Sequence, residues 1–334
     1  PFVSGAVAAE GHVWVGGTLG NGVALGNAAA DPNNWRKALS GDTGAVVIDP
    51  TNANVIYAVA TGELNTTGSI YPSLGGALKK STDGGRTFGT AGISFGLGFP
   101  LTIPPPLVLD SNNPRRLYSG PGALYRSDNG GAGWNYVPPP AFNNNGSFTA
   151  LGLAPTNANR VLAGTESGLV INFDSALQQQ LNAPAPFSTE PRRAYLSSLT
   201  FDPINAQIAY ATYTTFGGAH VWKSVNAGRA WTSIDGSGAT ALPDVPVNAL
   251  ALDPSNSARL FIGTDLGIFV SPDGGATWLA ESGLPRVPVA DDIPSNEMPM
   301  YRNLWDHIGK HMPKKGAGKA GLLDPLSLDK RLQT

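Results

Sequence analysis

The chain has 334 residues, of which 14% are charged, with 42 Gly, 28 Pro, no Cys and a formal net charge of −2. The lack of Cys excludes thiol catalysis, disulfides and thiolate-bound zinc, and the near-neutral charge provides no global field to gather nucleic acid or an anionic membrane surface. No apolar run reaches the roughly 18 residues of a membrane helix, while 41% hydrophobic content is enough to fill a core.

In chain order, the first 40 residues read as four short strands. Phe2 to Ala8 is the inner one, His12 to Gly16 and Val23 to Gly26 follow, and an outer strand lies around Trp35. Two signatures then alternate. One is a strand closed by an Asp-Pro turn, as in Val46-Val47-Ile48-Asp49-Pro50-Thr51-Asn52, and it returns at Leu107–Asn112, Leu151–Asn157, Leu199–Pro203 and Leu250–Asn256. Each copy leads into an apolar strand such as Val55–Val59 or Arg259–Gly263.

The other signature is Ser-x-Asp-x-Gly-x-x-aromatic. It occurs with Ser81, Asp83, Gly85 and Phe88, and again with Ser271, Asp273, Gly275 and Trp278. Asn replaces Asp in the copies Ser127-Asn129-Trp134 and Ser224-Asn226-Trp231, and a worn copy is expected at Asn172-Phe173-Asp174. The spacing is 46 residues from Ser81 to Ser127, 45 to Asn172, 52 to Ser224 and 47 to Ser271. A four-stranded propeller blade takes roughly 40–50 residues, so each period predicts one blade.

The predicted fold is therefore all-β: a single propeller over residues 1–290, with blades at 1–40, 43–92, 103–138, 147–190, 196–236 and 245–283. Leu242-Pro243-Asp244-Val245-Pro246-Val247 opens the sixth, and Leu284-Pro285-Arg286-Val287-Pro288-Val289 repeats it just beyond. Six blades are visible, and a seventh, begun there, stays open. Residues 291–334 form a different material, an extended tail with all three Met of the chain and a helix expected around Tyr301 to Lys310. Tyr301 to Thr334 carries seven Lys or Arg against three Asp, a basic stretch suited to docking on a partner or wrapping the propeller. Tyr301, Leu304, Trp305, Lys314 and Lys315 are the expected partner contacts.

These turns make the chain resemble the Asp-box (BNR-repeat) propellers, which include sialidases, xyloglucan-cleaving endoglucanases built of two propellers, sortilin-type receptors and photosystem II assembly factors. The resemblance covers about residues 1–290 and implies a shared turn rather than a shared activity. The turn Asp and Asn side chains accept backbone N–H groups, Gly takes positive φ, and the aromatic anchors the next strand in the core. A row of such aspartates also invites a calcium or catalytic reading. Asn129 and Asn226 speak for a structural turn, because an amide cannot replace a general base.

Propeller ligands sit on the loops that join blades and on those between the two middle strands of a blade. Here those loops offer Glu63, Glu190, Asp235 and Asp244 as the pool for a two-carboxylate glycosidase, and the spacing pairs none of them. Arg192, Arg193 and Tyr195 are faintly sialidase-like. The paired His307 and His311 lack a third ligand, and no phosphate loop, zinc-protease helix or EF-hand spacing occurs, so neither metal nor cofactor is expected. A chain beginning at Pro1, low in charge and free of Cys, is expected to be a processed product residing outside the cytoplasm, whether periplasmic, cell-surface or secreted. The expected function is a non-enzymatic interaction or assembly subunit with protein partners on the tail and loop face. The alternative is a secreted glycan-acting protein, either a glycoside hydrolase of sialidase or endoglucanase type or a carbohydrate-binding remnant.

Overall fold

The computed structural model describes residues 2–9, 11–18, 20–27, 31–61, 77–94, 104–137, 146–178, 187–282 and 289. These residues form six four-stranded antiparallel sheets arranged as the blades of a propeller, each running from inner to outer strand in chain order. Blade one holds β1 (Phe2–Val7), β2 (Val13–Thr18), β3 (Gly22–Asn27) and β4 (Asp31–Leu39). Blade two holds β5 (Asp42–Ile48), β6 (Ile56–Thr61), β7 (Ala77–Ser81) and β8 (Gly89–Ser94), and blade three β9 (Leu107–Leu109), β10 (Leu117–Ser119), β11 (Leu124–Ser127) and β12 (Asn135–Val137). Blade four has β13 (Phe148–Leu153), β14 (Val161–Thr165), β15 (Val170–Phe173) and β16 (Phe187–Thr189). Blade five has β17 (Leu196–Phe201), β18 (Ala209–Tyr213), β19 (Val221–Ser224) and β20 (Thr232–Ser233), and blade six β21 (Val247–Asp253), β22 (Asn256–Thr264), β23 (Gly267–Ser271) and β24 (Leu279–Ala280). The expected blades agree with these sheets to within a few residues at each end.

Blade position explains strand composition. The second strand is covered by neighbouring blades on both faces, so β14 and β18 are buried at every residue and read as continuous apolar runs rather than alternating ones. Outer strands β20 and β24 are two residues long and exposed, which leaves little free edge for unwanted pairing.

The turn between first and second strands is held by its Asp. Asp49 Oδ1 accepts the Thr51 N–H at 2.8 Å, and Asp253 does the same for Ser255 at 2.8 Å. Blade four has Ala154 in that place, and there Asn157 Oδ1 holds the Asn159 N–H at 3.1 Å.

Each seam between consecutive blades has its own apolar cluster. Leu162 and Val170 of blade four pack with Leu196, Leu199 and Ala211 of blade five, for example. Gly164 lets the inner strand of blade five cross closely, because a Cβ there would stand 2.4 Å from Leu196 Cδ2. Polar side chains cross the same seams: Thr149 Oγ1 donates to Leu196 O at 2.6 Å, and Ser197 Oγ to Val247 O at 2.7 Å.

Candidate functional site

The recurrent serine turns come first, because they hold most of the conspicuous carboxylates. Ser81 Oγ accepts the Gly85 N–H at 2.8 Å and donates to Asp83 Oδ1 at 2.7 Å, and Ser127, Ser224 and Ser271 repeat the arrangement. Gly85 takes φ of 75° there. In the two Asp copies the second carboxylate oxygen accepts a hydroxyl four residues on, from Thr87 at 2.6 Å and Thr277 at 2.7 Å. In the two Asn copies that residue is Gly133 or Ala230, which has no hydroxyl, and only its N–H reaches the amide oxygen. The choice of Asp or Asn thus follows the donor available to the second atom. The Thr87 hydroxyl and N–H hold the Asp83 carboxyl far below the usual carboxylate range, and the Thr277 N–H and hydroxyl lower Asp273 as well. A carboxylate saturated in this way is a poor proton acceptor.

One expectation about these turns needs correction and one gains a contact. The turn aromatic packs in the core and also reaches back to the preceding blade. Trp134 Nε1 donates to Ala91 O at 3.2 Å, Trp231 Nε1 to Thr189 Oγ1 at 3.0 Å and Trp278 Nε1 to Ile234 O at 2.8 Å. Phe88 has no such donor, and Arg36 from blade one instead reaches Gly84 O at 2.8 Å and Gly85 O at 2.9 Å.

The worn copy starts one residue later than expected. Phe173, not Asn172, pairs with Val161 and so holds the place that Ser81 holds opposite Ile56. Ala176 keeps the backbone bond to Asn159 O at 2.9 Å that Gly84, Gly130, Ala227 and Gly274 make in the other blades. Strand pairing, not residue type, sets the register here.

On the opposite face, the long loops bring together groups far apart in sequence. His220 is buried at the start of β19 and lies between two of the expected acids. Its Nδ1 is 3.0 Å from Asp235 Oδ2, and Asp235 also accepts the N–H groups of His220 and Val221, each at 2.8 Å. Facing a carboxylate oxygen, Nδ1 is the donor of that pair. Asp244 Oδ1 approaches Nε2 to 3.1 Å, too far out of line for a hydrogen bond, and accepts the Gly217 N–H at 2.7 Å. Asp235 and Asp244, unpaired by spacing, therefore flank one imidazole. Asp235 is spent on three donors, whereas Asp244 is 60% exposed.

Arg192 is also committed. Its guanidinium donates to the carbonyls of Ala219 at 2.8 Å, Thr215 at 3.1 Å and Phe216 at 2.9 Å, and to Gly217 O, tying down the loop between β18 and β19. It is not free to clamp a substrate carboxylate. Glu190 pairs with the exposed Arg193 at 2.5 Å. The same face presents Phe216 (67% exposed) and Leu266 (54%), and Asp265, which accepts from Asn248 Nδ2 at 2.8 Å. Sequence reasoning missed His220, Phe216 and Asp265. His220 had one available signal, since it and His12 are the only His before the tail.

Glu63, Tyr301, Leu304, Trp305, Lys314, Lys315, His307 and His311 lie outside the described residues. Among the described residues, no three His, Asp or Glu are grouped to hold a metal ion, and no helix is long and apolar enough to cross a membrane.

No family model matches the chain. A xyloglucanase from Paenibacillus sp is 27% identical over 271 residues, which is 70% of this chain and 26% of that protein. Among solved structures, the GH74 enzyme of Niastella koreensis superposes with a TM-score of 0.63 at 21% identity, over 83% of this chain and 45% of the other. The GH74 xyloglucanase of Xanthomonas campestris gives 0.60 at 19%, with the same coverage. YCF48 bound to D1 peptide gives 0.56 at 16%, over 86% of this chain and 84% of that one. The shared feature is the propeller fold. The chain spans about a quarter of the xyloglucanase relative and under half of the two enzyme structures.

Proposed function

We propose that this propeller is a glycan-acting protein of the xyloglucan-directed kind, working outside the cytoplasm and engaging its glycan on the loop face over blades five and six. The sequence relation to a xyloglucanase along 70% of the chain carries the reading. The loop face supports it chemically. Exposed Phe216 offers an apolar surface for the C–H face of a sugar ring, and the exposed Asp244 beside it offers acceptors for hydroxyls. A glycosidase needs a second carboxyl within about 5–9.5 Å, and saturated Asp235 does not serve, so Asp244 acts with an acid from outside the described residues. The recurrent serine turns are then Asp-boxes that frame the blades and take no part in the chemistry. The test is retardation of the full chain in gels cast with xyloglucan, alongside release of reducing ends. Asp244→Asn and Phe216→Ala should each weaken retardation about tenfold, and an unretarded full chain that releases no reducing ends would sink the proposal.

One observation favours a second reading, an assembly subunit that holds a protein segment. The match to YCF48 spans 84% of that protein, so one propeller there corresponds to one propeller here. In that reading an extended peptide lies on the same loop face, and Tyr301, Leu304, Trp305, Lys314 and Lys315 add contacts from the tail. A full chain that ignores xyloglucan yet binds an extended peptide, with loss of binding on Phe216→Ala, supports it.

A further inference from the structure

Five apolar clusters join consecutive blades, from one–two to five–six. A sixth lies on the outer face of blade six, where Ala249, Phe261, Ile268 and Val270 are buried with Val289. Among the described residues, Val289 is its one member from outside that blade.

Three contacts show what position Val289 holds. Asn248 Nδ2 donates to Val289 O at 3.1 Å, as Thr149 does to Leu196 O and Ser197 to Val247 O one seam earlier each time. The Val289 N–H reaches Thr264 O at 2.9 Å, at the end of the second strand of blade six; the Phe148 N–H likewise reaches Pro121 O just beyond the second strand of blade three. A Cβ on Gly263 would stand 2.7 Å from Val289 Cγ1, the counterpart of Gly164 beneath Leu196. Leu196, Val247 and Phe148 each open an inner strand. Val289 therefore stands against blade six as the first residue of an inner strand stands against the preceding blade at the other seams.

The face beside it is more apolar than those of blades two to five. Lys80, Arg126 and Asn172 each donate across their seam to the carbonyl at the tip of the next blade's serine turn or its worn counterpart, namely Gly130, Ala176 and Ala227. The corresponding residue of blade six is Val270, and Phe261 stands where Tyr57, Tyr118 and Tyr210 stand in other blades. These two positions carry no donor, so they fit an apolar cover, as the equivalent Val15 and Leu25 of blade one fit blade two. Residues 290–334 have that character: they contain Met298, Met300, Leu304, Trp305 and Ile308. Val287-Pro288-Val289 followed by Pro294-Ser295-Asn296 repeats Val245-Pro246-Val247 followed by Pro254-Ser255-Asn256, two residues shorter. Val289 to Thr334 is 46 residues, against 42 from Val247 to Pro288, so the segment is long enough for one blade.

We infer that residues 290–334 cover the outer face of blade six in continuation of Val289, so that this apolar face is closed by the chain itself. Hydrogen–deuterium exchange on the full chain tests this. Amides in 290–334 should exchange at least about tenfold more slowly than in a synthetic peptide of the same residues, and Val289→Asp should abolish that protection while blades one to five keep theirs. Gly263→Ala, which crowds Val289 without adding charge, carries the same test if the Asp variant fails to fold. Exchange at the free-peptide rate overturns the inference. So does protection that survives either variant, and so does protection that disappears on dilution, which would assign the face to a second copy of the chain.

Discussion

Removing one hydroxyl tests how the serine turns hold the blades. In Ser224→Ala the lost Oγ is a buried acceptor for Gly228 N–H at 2.8 Å and a donor to Asn226 Oδ1 at 2.9 Å. Asn226 keeps the Ala230 N–H at 2.8 Å, but the Gly228 N–H is left buried without a partner. An unsatisfied buried donor costs about 1–3 kcal/mol, and loss of the second bond adds up to about 1 kcal/mol. The expected destabilisation is therefore about 1–4 kcal/mol. It should appear in urea as a lower midpoint with an unchanged slope, followed by tryptophan fluorescence. The variant should still fold, because blade four stands with Phe173 in the serine place and only the Ala176–Asn159 backbone bond retained. A change below about 0.5 kcal/mol, the level of an ordinary surface substitution, would refute the reasoning. So would full additivity with Asn226→Ala, since two members of one hydrogen-bond set must couple.

Burial pushes the Tyr57 and Tyr210 hydroxyls up to about 12. Their unfolded counterparts ionise near 10, so the stability they contribute is intact below pH 10 and falls as pH rises from about 10 to 12. Thermal midpoints should drop across that window, and less steeply in Tyr57→Phe and Tyr210→Phe. Gly164→Ala should cost about 1–3 kcal/mol by forcing Leu196 away from the seam, and Leu196→Val should recover part of the loss. Arg192→Ala frees four carbonyls of the loop between β18 and β19, so amide exchange in 214–220 should accelerate while the strands keep their protection. If that loop carries the glycan site, affinity for xyloglucan should fall with it.

The blades were legible in the sequence because their rules are local. Asp49 and Asp253 bind N–H groups two residues on, and Ser81 and Ser271 bind one four residues on, so residue type and spacing report the geometry directly. The continuous apolar runs of β14 and β18 likewise follow from burial on both faces of a blade. The worn turn was misplaced by one residue because its side chains had lost the signal, leaving only the pairing of Phe173 with Val161 to set the register. The candidate site was legible only in part. Asp235 and Asp244 were visible as acids, but nothing periodic announces that His220 will lie between them, or that Arg192 will be consumed by the carbonyls of a neighbouring loop. Those arrangements arise when separate blades are brought side by side and their loops share one face. The sequence alone determined the repeated unit and its turns, whose bonds close within a few residues. Only the tertiary structure decided which loop groups meet and what Val289 touches, because those contacts link positions 15 to 41 residues apart that no local rule relates.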